Sequence, residues 1–127
     1  MDVAQALADL TQISSQIEQA VVVSPDGSVL GSTFGGGERL AEVASRLLRE
    51  AETARGRAPQ QLEAATRDGS VFVLRDDERT IVATTGAAPT VGLVFYDLKS
   101  CLKAAAEAPP APSAPAEPVD SLEDGAP

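Results

Sequence analysis

Apolar residues recur at two different spacings along the first hundred residues, and the spacing changes where the element type changes. Val3, Leu7, Leu10, Ile13 and Ile17 are separated by three and four positions with polar residues between them, the pattern of a helix with one buried stripe. Ala20, Val21, Val22 and Val23 are then consecutive. A strand with one wet face alternates, so this run predicts a central strand covered on both sides. Ser24-Pro25-Asp26-Gly27 carries a turn signature, and Val29 and Leu30 return as the partner strand. After Gly35-Gly36-Gly37 the helical spacing resumes from Glu38 to Arg55, with Leu40, Ala41, Val43, Ala44, Leu47, Leu48, Ala51 and Ala54 on one side. Gly56 and Pro59 end that helix.

Residues 60–67, 70–75 and 79–85 read as a three-stranded meander, joined by a two-residue Asp68-Gly69 hairpin and a more open Asp76-Asp77-Glu78 turn. Val71 to Leu74 and Ile81 to Ala83 are continuous apolar runs and therefore interior strands. The strand around Leu62, Ala64 and Thr66 is more polar and is the expected edge. Thr90 is placed to cap a last helix from Val91 to about Ala104. Its stripe is Val91, Val94, Phe95, Leu98, Cys101 and Leu102, with Leu93 and Tyr96 on a second side facing the first helix. Residues 1–106 form one domain. Residues 107–127 hold most of the prolines, five acidic residues and no basic ones, a composition expected to stay disordered and inclined to polyproline II.

The helix from Glu38 to Arg55 is the element whose pattern asks for most. Its apolar side covers roughly 160° of the helical wheel, wider than the ~100° needed to lie on one surface, so it calls for a second neighbour. Glu42, Arg46 and Glu50 are spaced by four, but such pairs contribute only about 0.2–0.5 kcal/mol each. Burying a Leu or Val contributes about 1.5–3 kcal/mol, so burial decides where the helix lies. Arg39, Arg46 and Arg49 stand on its exposed side, within reach of a partner's carboxylates or phosphates or of an intrahelical lattice with Glu38, Glu42 and Glu50.

Composition narrows the chemistry. The chain has 127 residues, a net charge of -9, one cysteine and no histidine. Such acidity opposes nucleic acid and anionic lipid, and with 3% aromatic residues there is no platform for stacking bases. The usual nucleophile and base pairings cannot be assembled, and Cys101 lies on an apolar stripe, where a small core hydrophobe is expected. No catalytic residue, metal site or cofactor is expected. The start of the chain has no basic and apolar leader pattern and no window long enough to cross a membrane, so a cytoplasmic protein is expected. Gly35-Gly36-Gly37 lacks the spacing of a P-loop or a dinucleotide site, and Glu38 puts a carboxylate where a phosphate would sit. Asp76, Asp77 and Glu78 are adjacent rather than spaced through a loop like calcium ligands, and read as a solvated turn.

The order helix, hairpin, long helix, three-stranded meander, helix, together with A-V-V-V-S-P-D-G-S-V-L-G-S at 20–32 and V-G-L-V-F-Y-D-L at 91–98, resembles the Roadblock (dynein light chain) family, in particular its bacterial MglB-like members. The resemblance covers residues 3–104. It implies an α+β, three-layer fold, Roadblock/profilin-like: a five-stranded antiparallel sheet with the long helix on one face and the two terminal helices on the other. It also implies a homodimer in which edge strands join and the long helices meet. On this chain the interface would fall to Ala41, Ala44, Ser45, Leu48, Leu62 and Ala64. The function implied is that of a regulator or platform for a small Ras-like GTPase, in some members a GTPase-activating one, with Glu42, Arg46, Arg49 and Glu50 as the partner surface. The other readings are a small-molecule or nucleotide-binding domain using the Gly35–Gly37 loop, and a purely structural scaffold subunit.

Overall fold

The computed structural model describes residues 2–106. Helix α1 (Val3–Ile13) leads into strands β1 (Ile17–Val23) and β2 (Val29–Ser32), helix α2 (Gly37–Arg55), strands β3 (Gln61–Ala65), β4 (Ser70–Arg75) and β5 (Thr80–Thr85), and helix α3 (Val91–Ala106). The five strands form one antiparallel sheet in the order β2-β1-β5-β4-β3. The apolar run of β1 thus lies between β2 and β5, and Ala20, Val21 and Val22 are fully buried, as the unbroken run requires. β3 is an edge strand in which half-buried Leu62 and Ala64 alternate with exposed neighbours.

Alternation sends two different sets of side chains to the two faces. Ala20, Val22, Phe72, Leu74, Ile81 and Ala83 meet α1 and α3 through Leu7, Leu10, Val94, Leu98 and Leu102. Small residues oppose large ones here: Ala83 pairs with Phe72 on one side and with Ala20 on the other, leaving room for the edge-on contact of Phe72 with Phe95, ring centroids 5.1 Å apart. The opposite face, Val21, Val23, Val73 and Val82, takes α2. The layers are those that the resemblance implies.

Four local expectations are corrected. Ile17 belongs to β1, not to the α1 stripe, because the helix stops at Ile13, with Ser14 extended and its N–H closing on the Leu10 carbonyl. Ile13 is consequently 71% exposed. Leu93 and Tyr96 are also exposed rather than packed on α1; α3 meets α1 through its buried stripe. The Asp68-Gly69 turn is not the primed two-residue type, since neither residue has positive φ. Instead Thr66 closes the loop: its N–H and hydroxyl both donate to the Gly69 carbonyl at 2.7 Å, and its oxygen accepts from the Gly69 N–H. Glycine is needed at 69 for space, because a Cβ there would lie 2.1 Å from the Thr85 carbonyl oxygen. The expectation of a disordered segment over 107–127 lies outside the described residues.

The remaining turns consume polar side chains. In the β1–β2 turn the Gly27 N–H donates to the Ser24 carbonyl, and the Asp26 carboxylate accepts from the Ser24 hydroxyl and the Ser28 N–H. The Ser24 bond first, then those from Ser28, hold the Asp26 pKa down at about 2. Asp76 accepts from the Glu78 and Arg79 N–H groups at 2.8 and 2.7 Å and so caps its own turn.

Two outcomes follow from this packing. Gly69→Ala should lower the unfolding free energy in urea by about 1–3 kcal/mol, as overpacking does. Gly35→Ala, at a position with nothing within 4 Å, should stay within about 0.5 kcal/mol of the parent. Burial, reinforced by the Asp9 charge, pushes the Cys101 thiol up to about 11 from its ordinary 9.0. The folded state therefore keeps its thiol proton where the unfolded chain loses it. The resulting stability is complete below the ordinary value and lost as pH rises from 9.0 to about 11. The gap in stability between the parent and Cys101→Ala should shift against the parent across that window, and iodoacetamide should modify Cys101 only once urea unfolds the chain.

Candidate interaction surface

Helix α2 begins where the glycines end. Gly36 occupies the cap position at φ 105, a left-handed conformation that side chains resist. Gly37 is pressed against the sheet, where a Cβ would meet Ser32 Cβ at 3.0 Å and Val21 Cγ2 at 3.2 Å. Ser32 donates its hydroxyl to the Phe34 carbonyl and completes the turn. These glycines thus serve a tight strand-to-helix connection, and Glu38 occupies the first helical turn. The helix ends at Gly56, φ 87, whose N–H returns to the Glu52 carbonyl.

Between these ends α2 crosses β1, β2 and β5. Ala41 and Ala44 face the sheet at 8% and 2% exposure. They are buried within the chain itself and have little surface left for a partner. Of the other residues assigned to an interface from sequence, Ser45 is exposed, while Leu48, Leu62 and Ala64 are half-buried. Leu48 and Leu62 flank the same core as Ala41 and Ala44.

Outside the core-facing side, α2 presents two grooves. One, of about 690 Å³, separates the helix from the turns at 24–28 and 75–80, and is bordered by Glu42, Ser45, Leu48 and Arg49. In it the Arg79 side chain contributes a buried Nη1 that has no hydrogen-bond partner. The other, of about 770 Å³, runs along the outer side of the helix and is lined by Arg39, Val43, Arg46, Leu47, Arg49 and Glu50. Glu42, Arg46, Arg49 and Glu50 are all exposed, but they do not line a single groove: Glu42 borders the first, Arg46 and Glu50 the second, and Arg49 both. Val43 and Leu47, four apart, are half-buried without joining either core. Sequence alone singles out neither, although the excess width of the apolar side signals that part of it is left outside the core.

A second apolar surface lies at the far layer. Gln16 Oε1 accepts from the Thr90 N–H at 2.6 Å and ties the end of α1 to the start of α3, so exposed Ile13, Leu93 and Tyr96 share that end of the molecule. Among the described residues no three His, Cys, Asp or Glu side chains converge to hold a metal, and no helix is long and apolar enough to cross a membrane.

Scans against protein-family models and against curated proteins find no match. Solved structures do match. A Roadblock/LC7 domain from Streptomyces avermitilis is 26% identical, superposes at a TM-score of 0.65, and the match covers 79% of this chain and 94% of that one. The gliding protein MglB from Thermus thermophilus shares 14% identity at a TM-score of 0.67, covering 80% and 84%. LokiProfilin2, solved with rabbit actin, shares 14% identity at a TM-score of 0.58, covering 82% and 96%. The three-layer architecture is therefore that of the Roadblock and profilin folds. With the element order, the sheet order and the helix placement in agreement, the chain has the Roadblock fold that MglB also carries, and it is similar to Roadblock/LC7 domains.

Proposed function

We propose that this protein is a non-catalytic dimeric platform that binds a small Ras-like GTPase through the outer side of α2. The observation that carries the reading is the half-buried pair Val43 and Leu47, set among Arg39, Arg46, Arg49 and Glu50 along one continuous groove. An apolar strip bordered by charge of both signs suits recognition: the strip supplies area to bury, and the charges select the partner and speed encounter. The family resemblance supplies the partner class. Leu62 and Ala64 on the β3 edge, with Ser45 and Leu48 on α2, form the contact between copies, which leaves Val43 and Leu47 to the GTPase. A two-fold arrangement pairs each such position with its own surface on the second copy.

Leu48 also supports the core, so Ser45→Arg, at an exposed position, is the cleaner probe of self-association. Light scattering should show a monomer whose circular dichroism spectrum is that of the parent; an unchanged dimer mass would remove the helix from the interface. The double substitution Arg46→Glu with Arg49→Glu should weaken binding to a GTP-loaded Ras-like GTPase from the same genome by about ten-fold, ~1.4 kcal/mol. Both side chains are exposed, so the melting temperature should not move. Parent affinity in calorimetry would place the GTPase elsewhere, with the surface around Leu93 and Tyr96 the next to test.

A further inference from the structure

At the C-terminal end of α3 the surface changes sign. Lys99 and Lys103, four apart and exposed, are the only lysines of the chain. With Arg75 they rim a pocket of about 370 Å³ lined also by Leu74 and Leu102. Asp76 shares the rim, but its carboxylate is engaged by the N–H groups of its own turn. Ala106, the last described residue, also borders the pocket, so the chain leaves α3 beside it. The residues that follow include Glu107, Glu117, Asp120, Glu123 and Asp124 and no cation. Val119 and Leu122 are their only large apolar residues, three apart among the last of these acids.

We propose that the segment Val119–Asp124 of the chain's own tail docks at this pocket, with its carboxylates toward Lys99, Lys103 and Arg75. Residues 1–106 carry -4, the total of -9 less the tail's -5, so the body as a whole repels an acidic segment and attracts it only where cations gather. Reach is sufficient. The linker 107–118 spans at most ~37 Å at about 3.1 Å per residue in a proline-rich run, whereas Ala106 to Lys99 is ~10 Å of helix. Tethering holds the segment near the pocket at an effective concentration on the order of millimolar, so a weak contact is populated. The contact is electrostatic at its rim and weakens with salt. It covers the surface next to Gln60 and Gln61, where the unpaired β3 edge begins, and it does not depend on the identity of any GTPase.

The test uses the full chain with Ser121→Cys carrying a nitroxide label; buried Cys101 stays unlabelled, which the label count by mass verifies. Amide signals of Gln60, Gln61 and Lys103 should lose about half their intensity at about 20 mM NaCl and recover it at about 0.5 M. Lys99→Glu with Lys103→Glu should restore the intensities at low salt. Full intensity in the parent at low salt, or losses confined to α2 around Arg46 and Arg49, would overturn the proposal. So would equal losses in a mixture of nitrogen-15 chains without the label and labelled chains without the isotope, because the segment would then belong to a neighbouring copy.

Discussion

The structure depends on a strand that has neither a wet face nor a free edge. Ala20, Val21 and Val22 of β1 are fully buried, and the strand is hydrogen-bonded to β2 on one side and β5 on the other. Burying such a run satisfies its backbone only if two strands flank it, and satisfies its side chains only if a layer covers each face. A single hairpin lying on one helix would leave two valines in water. The three-layer arrangement follows from that requirement, and the meander of β3, β4 and β5 enters as the supplier of the second flanking strand.

The two faces are then covered by different means. The face toward α1 and α3 carries Phe72, Leu74 and Ile81, and its helices answer with Leu7, Leu10, Leu98 and Leu102, so two helices share a thick layer. The face toward α2 carries valines, and the helix meets it with Gly37, Ala41 and Ala44. Small residues let one helix seat closely and cover the sheet. A closely seated helix turns only a narrow side inward, and larger residues beyond that side stay partly in solvent. Val43 and Leu47 are left only half-buried by this seating. The apolar surface left open along α2 is therefore a consequence of how that layer is packed.

Polar chemistry is distributed in the same way. Asp26, Thr66, Ser32 and Asp76 are engaged in closing turns, where each takes or gives hydrogen bonds to nearby backbone or serine groups. Cys101 is held neutral within the α1–α3 layer. The charged groups that remain exposed along α2, Arg46, Arg49, Glu42 and Glu50, stand around the two grooves. Along α2 the molecule thus presents a relief of apolar steps and mixed charge.

Element type and order were legible in the sequence because they rest on periodicity: a continuous apolar run for β1, three-and-four spacing for α2 and α3, and Gly56 for the end of α2. The edge position of β3 could be read from its polarity, and the buried cysteine from its neighbours. Sequence spacing was silent on where a stripe stops being helix. Ile17 continues the α1 pattern by position but belongs to β1, because the strand's pairing with β5 claims it. The apolar side of α2 was visible as too wide, yet only the tertiary structure divided it, assigning Ala41 and Ala44 to the sheet and leaving Val43 and Leu47 outside. Periodicity records that residues share a side of a helix. Which part of that side is covered depends on the distance and angle of approach of another layer, and these are set by side chains distant in sequence, Val21 and Ser32 against Gly37.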